Sequence, residues 1–201
     1  MVSDQELAKA AAVLAAGRAA VFPTDTVYGL GVAVGSAPSP DEIYRIKRRD
    51  PDKAVPWLVG GRSALALYGR DVPDYAWRLA EEFWPGPCTL IVHASDAVPA
   101  PFAAQDATIA LRMPDDECAL RLIGRVGFPL ATSSANIQGC PPPQAATQVD
   151  PLVASAAAAF IGDDRLRSGV SSTVVDCTGD SPRILRVGEI SAAGVERAAF
   201  G

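Results

Sequence analysis

The chain has 201 residues, 49% of them hydrophobic, with 18 Lys+Arg against 23 Asp+Glu and a formal net charge of −5. That length and apolar content can fill a sizeable core, while the acidic balance argues against a protein that binds nucleic acid through an overall basic surface. One histidine, His93, and four scattered cysteines without a CxxC pair argue against a zinc site and fit a reduced, cytoplasmic setting. The N-terminus lacks the basic-then-apolar pattern of a signal peptide. No run of about 18 apolar residues is present to span a membrane.

Ser3-x-x-Glu6 spells a capping box, and Leu7, Ala10, Ala11 and Leu14 recur at helical spacing up to Gly17. Residues 19–22 read as a buried strand that Pro23 ends. Pro23-Thr24-Asp25-Thr26-Val27-Tyr28-Gly29-Leu30-Gly31 follows, a polar loop with two hydroxyls, a carboxylate and a phenol within five residues, and Gly31–Gly35 reads as a second short strand. Such groups at a strand end stand where open α/β sheets place ligands.

Ser39-Pro40 opens a helix with Ile43 and Ile46 inward. It runs into Arg45, Lys47, Arg48, Arg49 and Lys53, the densest basic cluster in the chain. That exceeds what a helix C-terminus attracts and points to phosphate. Residues 55–59 read as a strand, 63–68 and 74–84 as helices with Trp77 and Phe83 in the core, and 83–88 as a rigid corner. Strands follow at 89–94, with His93 in a structural place, and at 108–112, ending on Arg112.

A helix is expected over 115–125 and a strand over 129–132. That strand empties into Ser133-Ser134-Ala135-Asn136, and the Pro141-Pro142-Pro143 run makes a stiff loop after it. An alanine-rich helix at 151–159, strands at 174–176 and 182–188, and a helix at 191–199 complete one domain, 1–201.

Three polar loops thus follow short strands, at 24–28, 132–136 and 171–173, with cations at 45–53, 112 and 186 among them. Hydroxyls and amides suit a small polar substrate, and cations suit phosphates. There is no GxxxxGK[ST] loop, no GxGxxG fingerprint and no GxSxG elbow. With one mid-strand histidine, catalysis by positioning and charge neutralisation fits better than a nucleophile–base pair.

Seven segments, in order over about residues 19–190, resemble the YrdC-like threonylcarbamoyl-AMP synthases. They are Pro23–Gly31, Lys47-Arg48-Arg49, Phe83–Leu90, Ile109–Pro114, Thr132–Asn136, Ser172–Asp176 and Ile184–Gly188. The resemblance implies an α/β fold, a twisted open mixed sheet with flanking helices and a concave basic cavity. It implies that L-threonine, bicarbonate and ATP, with Mg2+, give threonylcarbamoyl-AMP and pyrophosphate, and that partner proteins transfer the threonylcarbamoyl group to tRNA. In the roles it implies, Thr24, Tyr28, Arg112, Thr132 and Ser172 bind threonine and bicarbonate, and Lys47, Arg49, Lys53, Thr108, Ser134, Asn136 and Arg186 bind ATP. Lys47 and Arg49 carry the catalytic charge, and no protein ligand holds a metal.

Two departures stand out. Lys47-Arg48-Arg49-Asp50 replaces the family's usual Lys-Gly-Arg-Pro, and Pro142 stands where a serine is common. The linker and C-terminal domain of longer members are not expected. Two other readings share the fold: a carbamoyl-adenylate-forming enzyme, and a non-catalytic RNA-binding or ribosome-assembly module, for which weak RNA binding through the 45–53 cluster would be the sign.

Overall fold

The computed structural model describes residues 2–51 and 54–201. The elements run α1 (Asp4–Ala15), β1 (Ala20–Pro23), β2 (Tyr28–Ala33), α2 (Asp41–Lys47), β3 (Trp57–Leu58), α3 (Ala64–Tyr68), β4 (Gly69–Arg70) and α4 (Asp74–Phe83). They continue with β5 (Cys88–Ala94), β6 (Thr108–Arg112), α5 (Glu117–Val126), β7 (Leu130–Ser134), α6 (Pro151–Ala156), β8 (Ala159–Phe160), β9 (Thr173–Asp176), β10 (Arg183–Arg186) and α7 (Ala192–Phe200).

The strands form one mixed sheet in the order β10-β9-β5-β6-β3-β7-β2-β1-β8, with β4 paired to β5. The pairs β1/β8, β3/β6 and β5/β9 are parallel. Most strands are buried on both faces and therefore read as nearly continuous apolar runs.

Side chains alternate between two core layers. Val21, Tyr28, Leu30, Val32, Leu90 and Leu111 join the layer under α2, α4, α6 and α7. Phe22, Ala33, Leu58 and Leu130 join the layer under α1 and α5. The residues between them on the second face include Gly29, Ala110 and Thr132, and there a hollow is left open. Gly29 is required by close approach: a Cβ there would meet Thr132 Cγ2 at 2.7 Å.

The capping box at Ser3 and Glu6 is present on α1. Elsewhere the structure corrects the sequence reading. The second strand begins at Tyr28 rather than Gly31, because Pro23↔Tyr28 through Ala20↔Gly31 pair as a tight antiparallel hairpin. Ser133 and Ser134 belong to β7, paired with Leu30 and Gly29, not to a loop. The helix read over 151–159 stops at Ala156, and Ala159–Phe160 instead adds a parallel strand to the open edge of β1. Trp77 is 36% exposed on α4 and not in the core, because Tyr75, Ala76, Leu79 and Ala80 already form the buried stripe of that helix. Phe83 packs partly buried against the core.

Helix α2 ends at Arg48, which adopts a left-handed conformation (φ 51°, ψ 43°). An L-residue with a side chain pays about 1 kcal/mol or more there, and glycine does not. Arg48 is exposed. Arg48→Gly is therefore expected to raise stability by about 0.5 kcal/mol after glycine's larger chain-entropy loss, read as a higher urea midpoint at unchanged m-value. A lower midpoint would mean that the Arg48 side chain contributes more than its backbone costs.

Candidate active site

The hollow on the α1/α5 face measures ≈ 360 Å³. Its floor is the alternate residues of successive strands: Val174 on β9, Thr89 and Ile91 on β5, Ala110 and Arg112 on β6, Leu58 on β3, Thr132 and Ser134 on β7, and Gly29 on β2. The loop carrying Thr24 and Thr26 walls one side, Ser171, Ser172 and Arg186 another, and Arg49 a third. A larger hollow of ≈ 540 Å³ lies between α4 and α7, lined by Arg78, Arg197, Glu81 and Glu82. Its two acidic groups repel phosphate and no cluster of hydroxyls converges there, so the sheet cavity is the candidate site.

Arg112 is 7% exposed at the end of β6. Its Nε donates to Gly86 O (3.1 Å) and its Nη1 to Thr26 Oγ1 (3.1 Å), and its Nη2 is paired with the Asp25 carboxylate. Burial pushes the guanidinium below its ordinary range, and Asp25 opposes that shift. A guanidinium has five N–H donors, so two remain for a ligand.

Thr24 Oγ1 donates to Val27 O (2.7 Å) and accepts from the Thr26 and Val27 amides. The Thr26 hydroxyl lies 3.2 Å from it. Thr24 thus folds the loop, and Thr26 passes that order on to Arg112.

Arg186 donates through Nε (3.1 Å) and Nη2 (2.9 Å) to Ser172 O. The Ser172 hydroxyl lies 2.8 Å from Thr89 Oγ1. Arg49 donates from Nη1 to Ser133 Oγ (3.3 Å) and from Nη2 to Ala54 O (3.1 Å). Burial lowers the proton affinity of both arginines, and for Arg186 the nearby charge of Arg112 adds to it. Each shift reports a desolvated positive charge that an anion would stabilise.

Lys47 stands behind this wall. It is 2% exposed, and its Nζ donates to Ser134 O, to Asn136 O (2.6 Å) and to Asn136 Oδ1 (3.3 Å). Burial first, then Arg49, push its pKa down to about 8. Three acceptor oxygens match the three protons of an ammonium group. Asn136 also sits behind the wall, donating from Nδ2 to Cys140 O (2.6 Å) and Ile137 O (3.1 Å).

The sequence expectations therefore divide. Thr24, Arg49, Arg112, Thr132, Ser134, Ser172 and Arg186 are brought together around the cavity. Lys47 and Asn136 support its wall rather than line it. Tyr28 is 0% exposed and turned to the opposite face, since it alternates with Gly29 along β2. Its hydroxyl donates to Asp163 Oδ1 (3.0 Å). Thr108 stands at the far end of β6, two pleats from Arg112, and its hydroxyl donates to Asp106 Oδ1 (2.6 Å). Lys53 lies outside the described residues. The sequence reading placed Thr26 and Ser171 in polar loops without giving them a role, and it missed Thr89 and the Asp25 pairing with Arg112. Thr89 was findable by alternation, because it shares its strand face with Ile91, opposite the buried Cys88 and Leu90.

The cavity is lined by hydroxyls and three desolvated guanidiniums, on the face of a mixed α/β sheet. The Sua5_yciO_yrdC family model, described as telomere recombination, matches residues 12–188. The chain belongs to this Sua5/YciO/YrdC family.

Among similar proteins is a threonylcarbamoyl-AMP synthase of Pyrococcus abyssi (strain GE5 / Orsay), 34% identical over 196 residues, which cover 98% of this chain and 58% of that protein. A threonylcarbamoyl-AMP synthase of Bacillus subtilis (strain 168) is 36% identical over 195 residues, covering 96% and 56%. The crystal structure of P. abyssi Sua5 complexed with L-threonine superposes with a TM-score of 0.90 at 33% identity, covering 98% of this chain and 58% of that one. The chain thus spans a little over half the length of these relatives. No helix among the described residues is long and apolar enough to cross a membrane.

Proposed function

We propose that the chain is an L-threonylcarbamoyladenylate synthase. The threonine amine adds to bicarbonate with loss of water. The carbamate oxygen then attacks the α-phosphorus of ATP, giving threonylcarbamoyl-AMP and pyrophosphate. The product would be consumed by proteins that transfer the threonylcarbamoyl group to adenosine in tRNA.

The observation that carries this reading is the charge imbalance of the cavity. Arg49, Arg112 and Arg186 line it together, and Asp25 is paired with Arg112. In this reading the two remaining donors of Arg112 fork onto the threonine carboxylate. Arg49 and Arg186 neutralise the charge that grows on the leaving pyrophosphate, so no protein nucleophile is needed. The half-enclosed cavity would keep water from the labile carbamate.

Magnesium arrives as the MgATP substrate. Among the described residues no group of three His, Cys, Asp or Glu side chains could hold an ion, and the carboxylate beside the cavity is spent on Arg112. The test is pyrophosphate release with MgATP, threonine and bicarbonate, together with the mass of the adduct. Release is expected only when all three are present. Release that persists without threonine would overturn the reading.

A further inference from the structure

Residues 161–172 connect β8 to β9 without helix or strand. Those two strands stand seven neighbours apart in the sheet. At about 4.8 Å per neighbour the connection crosses about 34 Å of flat sheet, and 13 residue steps reach about 45 Å at most. The segment is a strap with little slack, and it delivers Ser171 and Ser172 to the cavity wall.

The strap is pinned at its middle. Arg167 N donates to Gln144 O (2.9 Å), Ser168 N to Asp25 O (3.4 Å) and Gly169 N to Thr26 O (2.9 Å). Gly169 has φ +76°, a conformation that favours glycine. The strap therefore rests on the two residues that orient Arg112.

The pin itself is a buried charged network apart from the cavity. The Arg167 and Asp116 side chains are each 2% exposed, and that of Asp163 is 8% exposed. Arg167 Nη1 donates to Asp116 Oδ2 (3.0 Å), and Nη2 to both oxygens of Asp163 (2.6 Å each). The guanidinium lies 5.5 Å from the centre of the Tyr28 ring, and the Tyr28 hydroxyl accepts from Asp163 N (3.1 Å) while donating to the Asp163 carboxylate. Asp116 also caps α5, its Oδ1 accepting from Ala119 N (3.0 Å). One guanidinium thus ties the start of α5, the start of β2 and two points of the strap.

This is an expensive way to hold a loop. Burying such groups costs desolvation that apolar packing of equal volume avoids. Among the described residues, Arg167 Nε is buried without a hydrogen-bond partner. What the network supplies, and apolar packing would not, is a fixed direction for each group it joins.

We infer that Arg167, with Asp116, Asp163 and Tyr28, is a positioning clamp for the small-substrate end of the cavity. It sets the strap, the strap sets Ser172 and the Asp25–Thr26 backbone, and these set Arg112. The inference rests on the proposed reading of that end as the threonine site. At the phosphate end Arg186 touches the strap through Ser172 O, whereas Arg49 donates to Ser133 and Ala54, so the clamp bears more on the small-substrate end than on the phosphate end.

The test uses the whole chain with Tyr28→Phe, which removes one hydroxyl, and Arg167→Met. Thermal unfolding establishes that each is folded, and Tyr28→Phe carries the test if Arg167→Met is not. The KM for threonine is expected to rise about 2–30-fold, the usual range for coupling through a packed network, while the KM for ATP rises less, through Arg186 on Ser172 O. Amide exchange at Ser168 and Gly169 is expected to quicken in Tyr28→Phe while β5 stays protected. Equal rises in both KM values, or an unchanged threonine KM with unchanged exchange in a folded variant, would overturn the clamp. Absence of threonine-dependent turnover in the unmodified chain would instead overturn the proposed function, and the exchange result still reports on the strap.

Discussion

Arg112→Ala is expected to lower kcat/KM for threonine by on the order of 10²–10³, the cost of one buried charged donor aimed at a substrate anion. ATP binding should be nearly unchanged. The argument starts from donor arithmetic. Three of the five N–H groups are accounted for by Gly86 O, Thr26 Oγ1 and Asp25. One N–H on Nη1 and one on Nη2 are left over, and a carboxylate is a partner that takes two donors at once.

Arg112→Lys keeps the charge but not the fork, so it should lose nearly as much. Steady-state rates with threonine and ATP varied separately give the answer. A loss that falls on the ATP KM instead would move Arg112 to the phosphate end. Part of any loss of stability in Arg112→Ala belongs to Asp25, left partly buried without its cation. Unfolding midpoints measured beside the rates separate that effect from binding.

The sequence showed the cavity's components more clearly than their orientation. Most elements were legible, because β-rich apolar runs, capping boxes and Pro/Gly stops are local signals. The floor residues Thr132, Ser134 and Arg112 were legible too, since they lie in polar or charged stretches that interrupt such runs. What failed was parity. Tyr28 looked like part of the loop, yet it is the first residue of a strand whose alternation sends its ring to the opposite face.

Long-range pairing was equally hidden. Nothing in the residues around Arg167 announces that it meets Asp116, fifty-one positions away in sequence. The two-residue strand β8 lay inside an alanine-rich run that spelled a helix, and only the open edge of β1 decides otherwise. Local propensity carries little weight where a sheet edge offers backbone partners.

Lys47 gives the second large effect, through a different route from a phosphate ligand. Lys47→Met keeps the length of the side chain and removes the donor, leaving Asn136 O and Asn136 Oδ1 without the hydrogens that Nζ supplies, while Ser134 O keeps the Asn136 amide (3.0 Å). A buried acceptor left unsatisfied costs about 1–3 kcal/mol. The expected loss of stability is therefore on the order of 3 kcal/mol, read from urea unfolding, together with a loss of activity as the Ser133–Asn136 wall relaxes. Lys47→Arg should keep part of both.

The pH dependence separates this role from simple packing. In the folded chain burial holds the Lys47 pKa at about 8, below its ordinary 10.5. Below pH 8 the amine is charged in both folded and unfolded states, and its burial cost is fully present. Between about 8 and 10.5 the folded chain gives up the proton first, so the unfolded chain binds more protons and the Lys47 contribution to stability becomes less unfavourable as pH rises. The neutral amine, however, has two protons for three oxygens. kcat/KM, which reports the free enzyme, is thus expected to fall above pH 8 as the wall loosens, even while that stability contribution improves. In Lys47→Arg the alkaline fall should move upward, because guanidinium does not titrate in this range. An alkaline limb at the same pH in Lys47→Arg would assign the titration to another group.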